Sequence, residues 1–286
     1  MTTEFARVLS RLPRLQPGNA RARSVAQRKV PASTLPEGVS IVEVAKVERL
    51  LHGEGLACHF QPVWSVREGR AVGFEALSRP FGPSAIAPDR MFEVAAAMGR
   101  GVELELVAIA AALKALPSLP RECYLSLNLS PATLLAGELH ELLDDCPSFE
   151  RLMVEITEHE LVSDYGRVRD AISPYRQQGL CLATDDAGAG HANLCHILEL
   201  NPDVLKLDRY IVRGIDKDRR RRAMVRAFKQ FADDTRTTMI AEGVETEDEL
   251  DVLRDLGVDR IQGYLISPAI PLTEAAEMGR TSQSRS

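Results

Sequence analysis

The sequence lacks the features that mark several classes of protein. Its apolar runs are short, and none approaches the roughly 20 residues of a membrane-spanning helix. Its five cysteines are scattered, odd in number and without a CxxC pair, which excludes a disulfide scaffold and a zinc ribbon. The first residues contain no apolar signal core. We therefore expect a cytoplasmic protein with no membrane span.

Aromatic residues are also scarce, at 5% of the chain with a single tryptophan. Such a composition offers few rings for stacking on bases, so no polymeric nucleic acid is expected as a partner. The shares of hydrophobic residues (45%) and of charged residues (27%) are those of an ordinary globular protein. A chain of 286 residues is long enough for one large domain with a sizeable core.

Charge is unevenly distributed along the chain. Residues 1–36 carry seven basic side chains and one acidic one, a net charge of +6, whereas the whole chain carries −6. The run 31–38, rich in proline and small residues, is typical of a linker. We therefore expect a basic, disordered arm and linker over residues 1–40, a barrel domain over 41–274 and a disordered tail over 275–286.

Short β-rich runs alternate with helical runs from about Val42 onward. The first two runs, 57–66 and 70–77, are joined by three residues and are typical of an antiparallel pair. The later strand-like runs lie at 124–127, 152–156, 180–184, 204–207, 238–241 and 260–261, with helical runs such as 165–178, 217–233 and 247–256 between them. This alternation predicts an α/β fold, a (β/α)8-type barrel with one antiparallel strand at the start. An open doubly wound sheet is the alternative, although no glycine-rich dinucleotide fingerprint follows any strand.

A polar residue stands at or just after the end of seven of these runs. In chain order these residues are Glu75, Asn128, Glu155, the pair Asp185 and Asp186, Lys206, Glu242 and Gln262. Parallel strands of a barrel all end on one face, so we expect these side chains to converge there. Crowded carboxylates need compensating charge, and oxygen ligands with one amide suit Mg²⁺ or Mn²⁺ better than zinc. Any single acid could instead cap a helix, but seven successive polar endings are hard to explain in that way.

The same residues fall within motifs that resemble a known family. Residues 74–77 contain Glu-Ala-Leu, and Arg79 follows at the usual spacing. The other matching motifs are Phe60-Gln61-Pro62, Asn128-Leu129-Ser130-Pro131, Glu155-Ile156-Thr157-Glu158, Asp185-Asp186-Ala187-Gly188, Lys206-Leu207-Asp208, Glu242-Gly243-Val244-Glu245 and Gln262-Gly263-Tyr264. The match spans roughly residues 48–272 in order. The sequence resembles the EAL-domain cyclic di-GMP phosphodiesterases of bacteria.

The resemblance implies hydrolysis of cyclic di-GMP to linear 5′-pGpG with two divalent cations, Mg²⁺ or Mn²⁺, which lowers the level of this second messenger. It implies metal ligation by Glu75, Asn128, Glu155, Asp185, Asp186 and Glu242. It implies catalytic roles for Lys206, Asp186 and Glu242, and leaves open whether Glu242 is also a general base. It implies substrate contacts at Gln61, Leu77, Arg79 and Gln262, and supporting acids at Glu158, Asp208 and Glu245. It also implies a homodimer.

Three residues after the aspartates depart from the family's pattern. Ala187 stands where the family has Phe, His191 where it has Tyr, and Asn193 where it usually has Ser. We expect Ala187 to leave a gap that loosens the loop beside Asp185. This departure keeps open an alternative function, a degenerate EAL barrel that binds cyclic di-GMP or a protein without hydrolysis. A barrel phosphohydrolase acting on another phosphoester is a third hypothesis.

Overall fold

The computed structural model describes residues 37–144, 146, 148–156, 162, 164–187 and 191–278, with the side chains of 186 and 191–193 left out. The described chain divides into two compact units. The helical unit comprises residues up to Cys58, Ser78–Leu113 and Ala136–Pro147, and the barrel unit comprises His59–Leu77, Lys114–Leu135 and the residues from Ser148 onward. Residues 1–36 of the expected arm lie outside the described residues.

Eight strands close into a barrel in the order β1 to β8. They are β1 Leu56–Ser65, β2 Arg70–Pro80, β3 Tyr124–Leu129, β4 Leu152–Ile156, β5 Cys181–Ala187, β6 Val204–Leu207, β7 Thr238–Ala241 and β8 Arg260–Ile261. Neighbours from β2 to β8 pair in parallel, whereas β1 is antiparallel to β8, with Trp64 opposite Ile261. The predicted barrel with one reversed strand is confirmed, and the open sheet is wrong because β1 and β8 close the ring.

Eleven α-helices lie in the described ranges. They are α1 Ile41–Leu51, α2 Pro88–Ala97, α3 Gly101–Leu113, α4 Pro131–Leu134, α5 Gly137–Asp144, α6 Tyr165–Arg176, α7 His191–Leu200, α8 Arg209–Val212, α9 Arg219–Thr235, α10 Glu247–Asp255 and α11 Leu272–Met278. None of these helices is long and apolar enough to cross a membrane. Among the described residues, none of the five cysteines forms a disulfide.

The helical unit has a small apolar core of its own. Its buried members are Val47, Leu50, Leu51, Met91, Val94, Ala95 and Leu104. Helix α1 begins with a capping box in which Ser40 and Glu43 each bind the other's backbone N–H. Arg100 stabilises the same unit by donating to both carboxylate oxygens of Glu48 at 2.7 Å.

The interior of the barrel holds an apolar layer contributed by six strands. Its buried members are Val63, Val72, Met153, Ala183, Val204 and Ile240. Beta-branched residues are frequent in this layer, as expected where side chains pack inside a pleated sheet. A second, larger cluster with Leu205, Leu207, Val225 and Leu253 packs helices against strands β6 and β7.

The end of the domain lies beyond the expected boundary. Helix α11 covers residues 275–278, which we had assigned to a disordered tail, and Ala275 within it is fully buried. This part of the tail assignment is wrong because an apolar contact anchors the helix. Residues 279–286 lie outside the described residues.

Candidate functional site: a charged layer inside the barrel

Polar side chains form a second layer inside the barrel, beside the apolar one. Glu155, Asp185, Lys206 and Glu242 each follow a member of the apolar layer by two positions, and Gln61 precedes Val63 by two on the reversed strand. We call Gln61, Glu155, Asp185, Lys206 and Glu242 the polar layer. Because side chains two apart on a strand share a face, the polar layer lies about 7 Å along the strands toward the C-terminal ends of β2–β8.

Lys206 is the centre of this layer. Its Nζ lies 2.6 Å from Oε1 of Glu242 and 3.2 Å from Oδ1 of Asp185. It also forms a short contact with Glu155 and lies 3.8 Å from Oε2 of Glu75. The Lys206 side chain is only 1% exposed. One buried ammonium therefore faces four carboxylates.

Glu155 is held by two groups in the barrel interior. Ser126 donates its hydroxyl to Oε1 of Glu155 at 2.5 Å, and Lys206 contacts the other oxygen. Burial raises the pKa of Glu155 to about 8, although the Lys206 ammonium acts in the opposite direction. Glu75 and Asp185 raise this pKa further because they carry like charge.

The pKa values of Glu242 and Lys206 are also shifted in this cluster. Burial raises the pKa of Glu242 well above its usual range, again against the pull of Lys206. Burial lowers the pKa of Lys206, but the surrounding carboxylates outweigh that effect and raise it above its usual range. The cluster therefore holds more carboxylates than its single ammonium can compensate, and the pKa values of Glu155 and Glu242 are raised as a result.

Glu75 is fixed by amides on both of its oxygens. Asn128 donates Nδ2 to Oε1 of Glu75 at 2.8 Å, and Gln262 donates Nε2 to Oε2 at 2.5 Å. The same Nε2 of Gln262 donates to Oε1 of Gln61 at 3.1 Å. These residues come from β1, β2 and β3 and from the end of β8, so the network bridges neighbouring strands.

The chemistry of this cluster fits divalent cations. Its donors are carboxylate oxygens and one amide, which hard ions such as Mg²⁺ and Mn²⁺ prefer. Oε1 of Glu242 is buried and makes no hydrogen bond among the described residues, despite its proximity to Lys206. Among the described residues, no three acidic, His or Cys side chains are arranged to hold a metal ion, and the carboxylates of the cluster contact Nζ of Lys206.

Tight loops hold the ends of β7 and β8 together. A Cβ at Gly263 would lie 2.2 Å from the carbonyl oxygen of Val244, so only glycine permits this approach. The backbone N–H of Gln262 donates to the carbonyl of Ala241, and the N–H of Val244 donates to that of Gln262. The loops that carry Glu242 and Gln262 therefore form one unit.

The remaining predicted site residues are placed differently. Asp208 caps α8 by accepting from the N–H of Tyr210 at 2.8 Å, and the exposed Glu245 lies 3.6 Å from Arg213. Leu77 is half-buried on β2. Arg79, further along β2, falls in the helical unit, where its Nη1 donates to the carbonyl of Ser78. The side chain of Asp186, residue Glu158, and the side chains of His191 and Asn193 lie outside the described residues.

Ala187 is the last residue of β5 and is fully buried. It pairs with Leu207 of β6 and belongs to the cluster that packs helices against the strands. The ladder between β5 and β6 shifts register between Thr184 and Ala187. Asp185 and Asp186 lie at this shift in register.

Two residues that organise the site were not predicted from the sequence. Ser126 stands two positions before Asn128, and the period of a strand places both on one face. Glu249 is buried and accepts from the N–H of Gly214 at 2.8 Å and from that of Glu245 at 2.9 Å. The capping box of Thr246 and Glu249 at the start of α10 is a recognisable sequence signal for this second residue.

Known proteins are similar to this chain in sequence and in fold. The sequence profile of the EAL domain matches residues 44–269. PdeB of Escherichia coli, named a probable cyclic di-GMP phosphodiesterase, is 28% identical over 79% of this chain and 45% of its own length. The structure of BlrP1 of Klebsiella pneumoniae, a complex with manganese and cyclic di-GMP, is 30% identical with a TM-score of 0.65, covering 74% of this chain and 55% of that one.

An EAL-domain protein of Listeria monocytogenes has the same fold, with a TM-score of 0.73 at 22% identity, covering 87% of this chain and 98% of that one. The chain spans between 31% and 45% of the first curated relatives that it matches. With the profile match over most of its length and the closed barrel with one reversed strand, the chain belongs to the EAL-domain family.

Proposed function

We propose that the chain hydrolyses cyclic di-GMP to linear 5′-pGpG and thereby lowers the level of this second messenger. The observation that carries the proposal is the buried cluster in which Glu75, Glu155, Asp185 and Glu242 surround Lys206. The name of PdeB and the cyclic di-GMP bound to BlrP1 support this substrate.

The reaction adds one water across one phosphodiester bond. The water oxygen forms a bond to phosphorus, and the bond between phosphorus and the 3′ oxygen breaks. The leaving 3′ oxygen takes up the proton that the water gives up, so that one guanosine carries a 5′ phosphate and the other a free 3′ hydroxyl. The ring opens, and linear 5′-pGpG is the product.

We propose that two divalent cations, Mg²⁺ or Mn²⁺, are held by the carboxylates and the amide of the cluster. Glu75, Asn128, Glu155 and Asp185 would hold the first, and Asp185, Asp186 and Glu242 the second. The chemistry that bound cations supply at such a site is a lowered pKa of bound water and neutralisation of phosphate charge. The manganese in the BlrP1 complex supports this choice of metal.

Several side chains of the protein are proposed to position the reactants and the cluster's carboxylates. Lys206 is proposed to position or polarise the attacking water through its Nζ ammonium, and the burial of that group strengthens its electrostatic effect. Ser126 fixes one oxygen of Glu155, so the other points at Lys206. Arg79 is proposed to contact a phosphate of the substrate, since a planar guanidinium binds two phosphate oxygens at once. Leu77 is proposed to contact the substrate as well.

Product analysis tests this function. The chain is incubated with cyclic di-GMP and Mg²⁺ or Mn²⁺, and the nucleotides are separated by chromatography. Accumulation of linear 5′-pGpG, abolished by a chelator, is the expected result. Cyclic di-GMP that is bound but recovered intact would favour the non-hydrolytic alternative. Turnover of other phosphodiesters in preference to cyclic di-GMP would favour the third hypothesis.

We also propose that two copies of the chain pair through helices α7 and α9. Leu194, Leu198 and Met224 are more than half exposed there, beside a groove lined by Phe228 and Phe231. Such a contiguous apolar surface is typical of a protein–protein interface. Light scattering is expected to give a dimer that Leu198→Glu converts to a monomer; a monomeric wild type would contradict the pairing.

A further inference from the structure

Gln262 is nearly inaccessible in the barrel. The residue is 3% exposed, and its backbone is hydrogen-bonded to Ala241 at the end of β7 and to Val244 in the loop that follows. A substrate reaches a side chain of this kind only if the surrounding loops open. The resemblance placed Gln262 among the substrate contacts, and its burial does not favour that role.

The amide nitrogen of Gln262 has already used both of its N–H donors. One donor faces Oε2 of Glu75 at 2.5 Å, and the other faces Oε1 of Gln61 at 3.1 Å. A primary amide has two such donors, and a carboxylate can only accept, so Glu75 dictates which end of the amide faces it. The remaining Oε1 of Gln262 is buried.

Gln61 is oriented in its turn by the amide that it supports. Its Oε1 accepts from Gln262, and its Nε2 donates to the carbonyl of Ser267 at 3.3 Å. A chain of hydrogen bonds therefore runs from Ser267 through the two glutamines to Glu75. Asn128 holds the opposite oxygen of Glu75 at 2.8 Å, so the carboxylate cannot rotate without loss of a hydrogen bond.

We infer that Gln262 is a positioning residue that fixes the carboxylate of Glu75 for metal binding, with Gln61 as its support. The inference rests on the proposed function, because it assigns Glu75 to the metal site. Outer partners that orient a ligand typically contribute a factor of about 10–100 to metal affinity. A negatively charged carboxylate strengthens the hydrogen bond that Gln262 donates to it.

The test compares Gln262→Met with the wild type in two measurements. The first is the rise in melting temperature when Mg²⁺ or Mn²⁺ is titrated without substrate. The second is the rate of cyclic di-GMP hydrolysis as a function of metal concentration. KM for cyclic di-GMP is then determined at saturating metal. We expect Gln262→Met to need about 10–100 times more metal in both measurements, with KM unchanged.

Gln230→Met is the matched control. The amide of Gln230 donates to the carboxylate of Asp234 at 3.0 Å in the same way, but on the exposed surface of α9. This control is expected to leave the metal dependence as in the wild type. Gln61→Met should shift it in the same direction as Gln262→Met but less, and it decides the question should Gln262→Met fail to fold.

Two results would overturn the inference, and they are distinguishable. A raised KM at saturating metal, with an unchanged metal requirement, would make Gln262 a substrate contact and leave the proposed function intact. A wild-type protein with neither a metal-induced rise in melting temperature nor hydrolysis would remove the proposed function and the inference together.

Discussion

Two neighbouring layers inside the barrel differ in chemistry although the same strands build them. On β4, Met153 belongs to the apolar layer, and Glu155 belongs to the polar layer two positions later. On β6, Val204 and Lys206 stand in the same relation. The apolar layer removes hydrocarbon from water and stabilises the fold. The polar layer and Glu75 together place four carboxylates around one ammonium, an arrangement that costs stability unless something else compensates it.

The comparison indicates a division of labour along each strand. The apolar layer stabilises the fold. The polar layer carries the residues proposed for catalysis, and its buried charges lower the stability of the protein. Substitutions two positions apart on one strand should therefore affect different properties. The variants below are chosen to separate them.

Glu155→Gln should have the largest effect, a loss of turnover by several orders of magnitude. The amide keeps the shape of the side chain but removes a charge that the proposed cations require. The stability without metal should stay the same or rise, because like charge is removed from the cluster. Turnover and urea unfolding measure the two effects. A variant with a tenth of wild-type turnover would refute the metal-ligand assignment.

Lys206→Met should destabilise the metal-free protein by about 4 kcal/mol, because it leaves the buried carboxylates without their cation. Added Mn²⁺ should restore part of this loss. Urea unfolding with and without metal is the measurement. Lys217→Met, at a side chain that is 85% exposed, is the control and should change little. Equal stability of Lys206→Met and the wild type would show that the ammonium is not needed for charge compensation.

Met153→Ala tests the apolar layer on the same strand as Glu155. Loss of this buried side chain should cost about 3 kcal/mol of stability through lost burial and the cavity left behind. The turnover of each folded molecule should remain close to that of the wild type. Chemical unfolding and an active-site titration give the two values. A drop in turnover as large as that of Glu155→Gln would show that the layers do not act separately.

Ala187→Phe should have the smallest effect, a decrease of about 2 kcal/mol in the free energy of unfolding. The sequence predicts a gap beside Ala187, and the residue is fully buried in an apolar cluster. A larger side chain would force its neighbours apart. Thermal unfolding and metal titration check this. A more stable variant that needs less metal would restore the expectation of a gap.

Strand boundaries could be predicted well where a short apolar strand is followed by a polar residue. The limits of β4, β6, β7 and β8 agree with the predicted runs, because each apolar stretch ends at a charged or polar residue. Strand β5 runs three residues beyond its predicted end, to Ala187, since pairing with β6 overrides the local signal of two aspartates. Helix α7 was not predicted because a glycine-rich segment precedes it.

The site was less predictable than the fold. Strand ends placed Glu75 and Gln262 on one face of the barrel, but nothing in the sequence states which atoms of the two meet. Asp208 falls within a family motif, yet its carboxylate caps a helix. Such partners depend on rotamers and on loop packing, which tertiary contacts decide. The position of Lys206 among four acids also depends on tertiary contacts and could not be predicted from the sequence.

Calorimetric titration of Mn²⁺ into the metal-free protein tests the central claim most directly, namely that the carboxylates around Lys206, with Asn128 and Asp186, form a site for two divalent cations. The wild type should bind two Mn²⁺ ions per chain, and Glu155→Gln should bind them more weakly. An absence of Mn²⁺ binding by the folded wild type, or binding that Glu155→Gln leaves unchanged, would contradict the account.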